Sequence, residues 1–274
     1  MTGTALVLPG GGSRTFYLSG VLNGAGLYPE DVSAVYALST AAPIAAYFAT
    51  GQIGQTGPAW IEALVASKFL NWWRLLRFQR PGDVQAFIHQ GCATLDTTLL
   101  PAGKLFVSTL RLHDGETVCH EATKENVRDL LVATCSFPVV TAPHTLNGEL
   151  HMDGGAEETF PVLTAYLRGA HRIIAIANRP ASYQMKPYGA FARLLTFPRW
   201  PHARAALGRR ATRLAETRAF LDHPPSDVRV LLIQPDTDLP AGRLTLDPKL
   251  VCETYALGLE MGKRCSEAIH DFLR

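Results

Sequence analysis

The chain has 274 residues, of which 47% are hydrophobic and 18% charged, enough apolar content for one large α/β core without forcing a second domain. A formal net charge of +2 is too mild to imply a nucleic-acid partner. Five cysteines (Cys92, Cys119, Cys135, Cys252 and Cys265), widely spaced and without a CxxC pair, fit reduced thiols in the cytoplasm better than a disulfide framework or a zinc site. No stretch approaches the ~20 apolar residues of a membrane span, and the first apolar run follows no basic leader. A cytoplasmic protein is therefore expected, with any membrane contact peripheral.

In chain order, Thr4 to Leu8 is a short continuous apolar run, the mark of a buried strand. A glycine-rich turn follows, then a helix carrying Phe16, Leu18, Val21 and Leu22. Ala34 to Leu38 reads as a second buried strand and Thr40 to Thr50 as an Ala-rich helix, with Pro43 in its first turn. Pro58 to His89 is expected to be helical, broken at Pro81-Gly82, with Asp83 as an N-cap. Lys104 to Leu110 and Thr117 to Glu121 read as paired strands, and Lys124 to Thr134 as a helix capped by Thr123. Asn147-Gly148 predicts a tight hairpin leading into Glu149 to Met152. Pro161 to Leu167 reads as helix, His171 to Ala177 as strand, and roughly 201–221 as an Arg-rich helix. Val228 to Ile233 is a last strand and 248–273 a long terminal helix. This β-α-β alternation predicts a mainly parallel central sheet flanked by helices. No linker divides it, so a single domain over 1–274 is expected, with a motif-bearing core of about 1–180 and a helical completion of about 181–274.

Three motifs carry chemistry. Leu8-Pro9-Gly10-Gly11-Gly12-Ser13-Arg14 lies between a strand and a helix, where consecutive glycines can aim several N–H groups at one spot. That geometry suits a phosphate, the oxyanion of an acyl transfer, or simply a tight turn. Ala37-Leu38-Ser39-Thr40-Ala41 has the small-x-Ser-x-small form of a nucleophile elbow, with alanine where glycine is usual at both flanks. His151-Met152-Asp153-Gly154-Gly155 puts a carboxylate at a strand end, where it could serve as base, metal ligand or turn former.

Together and in this order, the three motifs resemble those of the patatin-like phospholipases: GGGxR, GxSxG and DGG or DGA. Phe16 to Leu22 and Ala133-Thr134-Cys135-Ser136-Phe137-Pro138 extend the similarity, and Asn178-Arg179-Pro180 after a strand looks like a bacterial branch. The resemblance implies a three-layer α/β sandwich and a serine lipid acyl hydrolase of phospholipase A, lysophospholipase or esterase type. It implies Ser39 as nucleophile and Asp153 as base of a dyad, with the backbone at Gly10, Gly11 and Gly12 as the oxyanion hole. Arg14 would brace that loop or meet negative charge on the substrate. No cofactor or metal is implied, and the partner is a lipid or acyl-ester substrate.

Other readings remain. His151 shares a strand face with Asp153 and His144 lies across the hairpin, so either is a rival base. Lys68 to Phe78 mixes tryptophans with basic residues and reads as an interfacial segment or a core helix. The arginines from Arg193 to Arg218 would draw anionic headgroups or form a solvated helix face. An acyltransferase, or a silent module that binds lipid or protein, would carry the same motifs.

Overall fold

A computed structural model describes residues 3–66 and 80–274. The expected interfacial segment Lys68 to Phe78 lies outside the described residues. The first two strands, β1 (Thr4–Leu8) and β2 (Ala34–Leu38), have the expected limits and are buried throughout. Strands β3 (Leu105–Arg111), β4 (Thr117–Ala122), β5 (His144–Leu146), β6 (Glu149–Asp153), β7 (Arg172–Ile176) and β8 (Arg229–Ile233) complete one sheet of eight. Its order is β5-β6-β3-β2-β1-β7-β8, with β4 also paired to β3. The pairs β1–β2, β2–β3, β1–β7 and β7–β8 are parallel, while β4, β5 and β6 form an antiparallel margin. Asn147 and Gly148 both take positive φ (51° and 83°), the type I′ geometry their sequence predicts for the β5–β6 turn.

Alternation along each strand sorts side chains between two helical layers. Leu6 and Leu8 of β1 and Val35 and Ala37 of β2 face α1 (Phe16–Ala25), α2 (Ala41–Ala49), α5 (Val127–Thr134) and α9 (Pro248–Leu273). Ala5, Val7, Ala34 and Tyr36 face α6 (Val162–Leu167) and the end of α8 (Pro201–Asp222). Both faces being covered, the central strands read as continuous apolar runs. The remaining helices are α3 (Pro58–Ala66), α4 (Val84–Gly91) and α7 (Ala190–Thr196). Asp83 caps α4, accepting from the Ala86 N–H at 3.0 Å. Helix α5 begins later than expected. The Asn126 side chain accepts from the Thr123 N–H at 2.8 Å, so residues 123–126 form a turn before the helix. The short helix α7 carries no periodic signal long enough to announce it. No helix among the described residues is long and apolar enough to cross a membrane.

Helix α9 meets α1 at backbone distance. A Cβ at Gly258 would overlap the Tyr17 carbonyl oxygen, and one at Gly20 would overlap that of Tyr255. The terminal helix thereby fixes the helix that emerges from the glycine-rich loop. Gly258→Ala should lower stability by about 2 kcal/mol or more, since backbone cannot step aside as a side chain can. Gly54→Ala, which meets nothing within 4 Å, serves as the neutral control in thermal unfolding.

The antiparallel margin buries a polar pair. The Thr109 hydroxyl lies 2.9 Å from His120 Nε2 and 2.9 Å from His151 Nδ1. Burial, with His120 and Arg111 nearby, pulls His151 down to about 4. Because its folded value is depressed, its neutral form stabilises the fold above the unfolded value and that contribution is lost as pH falls from 6.5 toward 4. The loss should be on the order of 3 kcal/mol. Urea unfolding at pH 7 and pH 4.5 measures it, and the slope should flatten in His151→Gln.

Candidate active site

Strand order reverses at β1, where β2 and β3 lie to one side and β7 and β8 to the other. In open α/β sheets the crevice beyond the carboxyl ends at such a switch point is where ligands bind. The glycine loop leaves β1 there, Ser39 leaves β2, and Asn178 follows β7. Asp153 arrives from the opposite direction. β4 covers one edge of β3 from Leu105 to Leu110. β2 occupies the other edge up to Leu38↔Ser108, and β6 takes it over from Asp153↔Thr109. The carboxyl ends of β2 and β6 thus meet head to head on one edge of β3, and Ser39 sits at the junction.

Ser39 has φ 54°, a left-handed conformation costly for a residue with a Cβ. Its surroundings hold it there. The Ser39 N–H donates to Thr134 Oγ1 at 2.7 Å, and the Thr134 hydroxyl donates to the Ser108 carbonyl at 2.8 Å. The Ser39 carbonyl accepts from the Ala42 N–H at 2.9 Å. The flanking alanines, Ala37 and Ala41, are fully buried, and neither takes a positive φ. Neither flank therefore uses the left-handed backbone freedom of glycine.

The Ser39 hydroxyl donates to Asp153 Oδ2 at 2.7 Å. The second carboxylate oxygen accepts from the Gly155 N–H at 2.7 Å, and the Asp153 N–H donates to the Ser136 carbonyl at 3.0 Å. Both side chains are buried. Burial raises the Asp153 pKa above the ordinary carboxylate range, opposed by the Ser39 and Gly155 hydrogen bonds and by Arg243 and Arg210. No histidine lines the cavity around this pair among the described residues. His151 points to Thr109, and His144 lies 3.4 Å from Asp129.

The glycine loop presses against the serine. A Cβ at Gly10 would come within 2.9 Å of Ser39 Cβ. The Gly10 N–H is taken by the Thr159 carbonyl at 3.1 Å and the Ser13 N–H by the Arg243 carbonyl at 3.0 Å. The N–H groups of Gly11 and Gly12 have no acceptor among the described residues. Asn178 Nδ2 donates to the Gly10 carbonyl at 3.3 Å, and the Ser13 hydroxyl donates to the Thr245 carbonyl at 2.6 Å. Sequence reasoning missed Asn178, Arg243 and Thr245 as clamps of this loop. They lie far along the chain and act partly through backbone groups, which leave no mark on residue type.

Gly10, Gly11, Gly12, Arg14, Ser39 and Asp153 line one cavity of about 280 Å³. Phe16, Ile44, Trp60, Leu64, Phe87 and Ile88 form its apolar wall. Arg14 is buried, its Nε is without a hydrogen-bond partner, and burial followed by Arg179 and Arg243 pulls its pKa down to about 10. The Arg-rich stretch forms no uniform basic face. Arg209 pairs with Glu157 and Arg213 with Glu216, while Arg210 turns inward to donate to the Gly155 carbonyl at 2.6 Å.

Comparison with known proteins adds to this geometry. A family model described as Patatin-like phospholipase matches residues 6–166, and one described as Domain of unknown function (DUF6363) matches residues 200–274. The chain is 26% identical over 275 residues to the uncharacterized protein YjjU of Escherichia coli, across 94% of this chain and 76% of that protein. It is 27% identical over 202 residues to mouse 1-acylglycerol-3-phosphate O-acyltransferase Pnpla3, across 62% of this chain and 49% of that protein. It therefore spans about half the length of the mouse relative. VipD from Legionella pneumophila gives a TM-score of 0.47 at 12% identity, covering 97% of this chain and 66% of that one. The family match covers more than half of the chain, which belongs to the patatin-like phospholipase family.

Proposed function

We propose that the protein is a serine lipid acyl hydrolase in which Ser39 is the nucleophile and Asp153 its base. The observation that carries this reading is the buried 2.7 Å hydrogen bond from Ser39 Oγ to Asp153 Oδ2, in the lining of a cavity with an apolar wall. Asp153 takes the hydroxyl proton as Ser39 Oγ attacks the ester carbonyl carbon. The carbonyl oxygen becomes an oxyanion facing the free N–H groups of Gly11 and Gly12. Collapse breaks the ester C–O bond, and the alcohol leaves with the proton from Asp153. Water, deprotonated by Asp153, then cleaves the acyl-serine and restores the Ser39 hydroxyl.

A fixed carboxylate suits this work for two reasons. Gly155 orients one oxygen and leaves the other to Ser39. Desolvation, which raises its pKa, makes the carboxylate a stronger base than one in water. The dyad needs no histidine. The mouse relative, an O-acyltransferase by name, favours a second outcome for the same acyl-serine: capture by an alcohol instead of water, which is acyl transfer. Product analysis with and without glycerol as acceptor separates the two. The five free cysteines support a reducing, cytoplasmic setting, and contact with lipid would be peripheral.

Ser39→Ala and Asp153→Asn should each lower kcat on a p-nitrophenyl acyl ester by roughly a thousandfold or more. Full activity in either variant would sink the assignment. The base must be ionised, so kcat/KM should rise with pH through the Asp153 pKa, above the ~3.9 of an unperturbed aspartate. That limb should persist in His151→Gln. A limb that disappears in His151→Gln, wherever it lies, would point instead to a histidine base.

A further inference from the structure

The carboxyl side of the sheet displays several large apolar side chains to solvent. Beyond β7 the chain passes the cavity, which Ala181, Tyr183 and Met185 line, and then forms α7. No residue of α7 is buried. Phe191, Leu194 and Leu195 are exposed, Phe191 at 74% and Leu195 at 60%. Their spacing (i, i+3, i+4) puts them on one face of the helix. Leu244 lines the cavity and is still about half exposed, and Val139, similarly exposed, adjoins the lining residue Val140. Val139 takes φ 71°, an outlier for a β-branched residue, so its turn bears strain while leaving the side chain in solvent.

These segments converge on Arg243, which precedes Leu244 directly. Its guanidinium lies 5.5 Å from the centre of the Phe137 ring, two residues before Val139. Tyr188 stands two residues before α7. Burial alone would raise its hydroxyl, yet the nearby Arg210 and Arg243 hold it below the ordinary tyrosine range. The exposed apolar residues therefore belong to one region beside the cavity. Its charge has one sign along the α7 segment. No acidic residue occurs between Glu158 and Glu216. Lys186 and Arg199 flank α7, both exposed and in no ion pair among the described residues. Large apolar side chains bordered by unpaired cations suit an anionic bilayer, whose headgroups complement the charge and whose acyl region takes the side chains. A second copy of this chain would instead set cation against cation.

We propose that the exposed face of α7, with Val139 and Leu244, docks the protein on an anionic lipid bilayer and sets the cavity against the membrane surface. Phe191, Leu194 and Leu195 enter the interface, while Lys186 and Arg199 meet headgroup charge. The proposal rests on the reading of the cavity as a site for lipid, and adds the surface by which the protein reaches that lipid.

Vesicle flotation tests it, on Ser39→Ala so that the lipid stays intact. Vesicles of phosphatidylcholine mixed with phosphatidylglycerol should bind the protein about tenfold more tightly than phosphatidylcholine alone. Adding Phe191→Ser and Leu195→Ser should weaken binding to the mixed vesicles by about tenfold or more. Lys186→Gln with Arg199→Gln should remove the preference for the mixed vesicles. Leu167→Ser is the control and should change nothing: Leu167 is 81% exposed but precedes β7, at the amino ends of the parallel strands. Absence of binding, equal binding to the two kinds of vesicle, or binding that Phe191→Ser/Leu195→Ser leaves intact overturns the proposal. So does a dimer in size-exclusion chromatography that the same two substitutions dissociate, which would mark a contact between copies. Turnover of soluble p-nitrophenyl butyrate, with Ser39 in place, should be equal in the wild-type protein and Phe191→Ser/Leu195→Ser. A drop in that variant would make the segment a support of the cavity and overturn docking. No turnover by the wild-type protein would count against the nucleophile alone, since vesicle binding does not require Ser39.

Discussion

The structure turns on one junction, where the carboxyl ends of two strands running in opposite directions meet on the same edge of β3. β2 ends at Leu38 opposite Ser108 and β6 ends at Asp153 opposite Thr109. Ser39 is held between them at φ 54° and donates to Asp153 across the gap at 2.7 Å. A parallel strand ending beside β2 would bring its last residue alongside the serine, whereas an antiparallel one continues the line of β2 and brings its carboxylate face on. The antiparallel margin of an otherwise parallel sheet therefore has a chemical reason. It delivers the Asp153 carboxylate to the Ser39 hydroxyl from the far side of the crevice.

The rest of the fold supports that junction at successive distances. Thr134 relays between the Ser39 N–H and the Ser108 carbonyl, tying the elbow to β3. Thr159, Asn178 and the 243–245 segment clamp the glycine loop, and the amides of Gly11 and Gly12 are held without an acceptor among the described residues. Helix α9 packs against α1 through Gly20 and Gly258 and fixes the loop from behind. Under the proposed function, donors preorganised in this way would cost no reorganisation when charge develops on a bound ester. The C-terminal third thus reaches the site both by clamping the loop and by supplying Arg210 and Arg243 to its wall.

Much of this was legible in the sequence, and the gaps have physical causes. β1, β2 and α9 were found at their limits because each is a sharp pattern: two continuous apolar runs, and a long amphipathic stretch after Asp247-Pro248. The Asn-Gly turn was legible because only residues tolerant of positive φ fit there. The start of α5 was misplaced because Asn126 competes with Thr123 for the cap and wins by bonding backward. The three motifs located Ser39, Asp153 and the glycines, but not that Gly10 spends its N–H on Thr159. The alanines at the elbow looked like a departure. Neither takes a positive φ, and within the elbow only Ser39 does. Arg210 looked like one of many surface arginines, since helix periodicity says which face is polar and not which polar residue turns inward.

The central claim is that Ser39 is a nucleophile activated by Asp153. Covalent labelling with a fluorophosphonate, located by mass spectrometry of proteolytic peptides, tests it most directly. The account expects one adduct, on Ser39, formed by the wild-type protein and at least a hundredfold more slowly by Asp153→Asn. An adduct on another residue, or equal labelling rates with and without the Asp153 carboxylate, would contradict it.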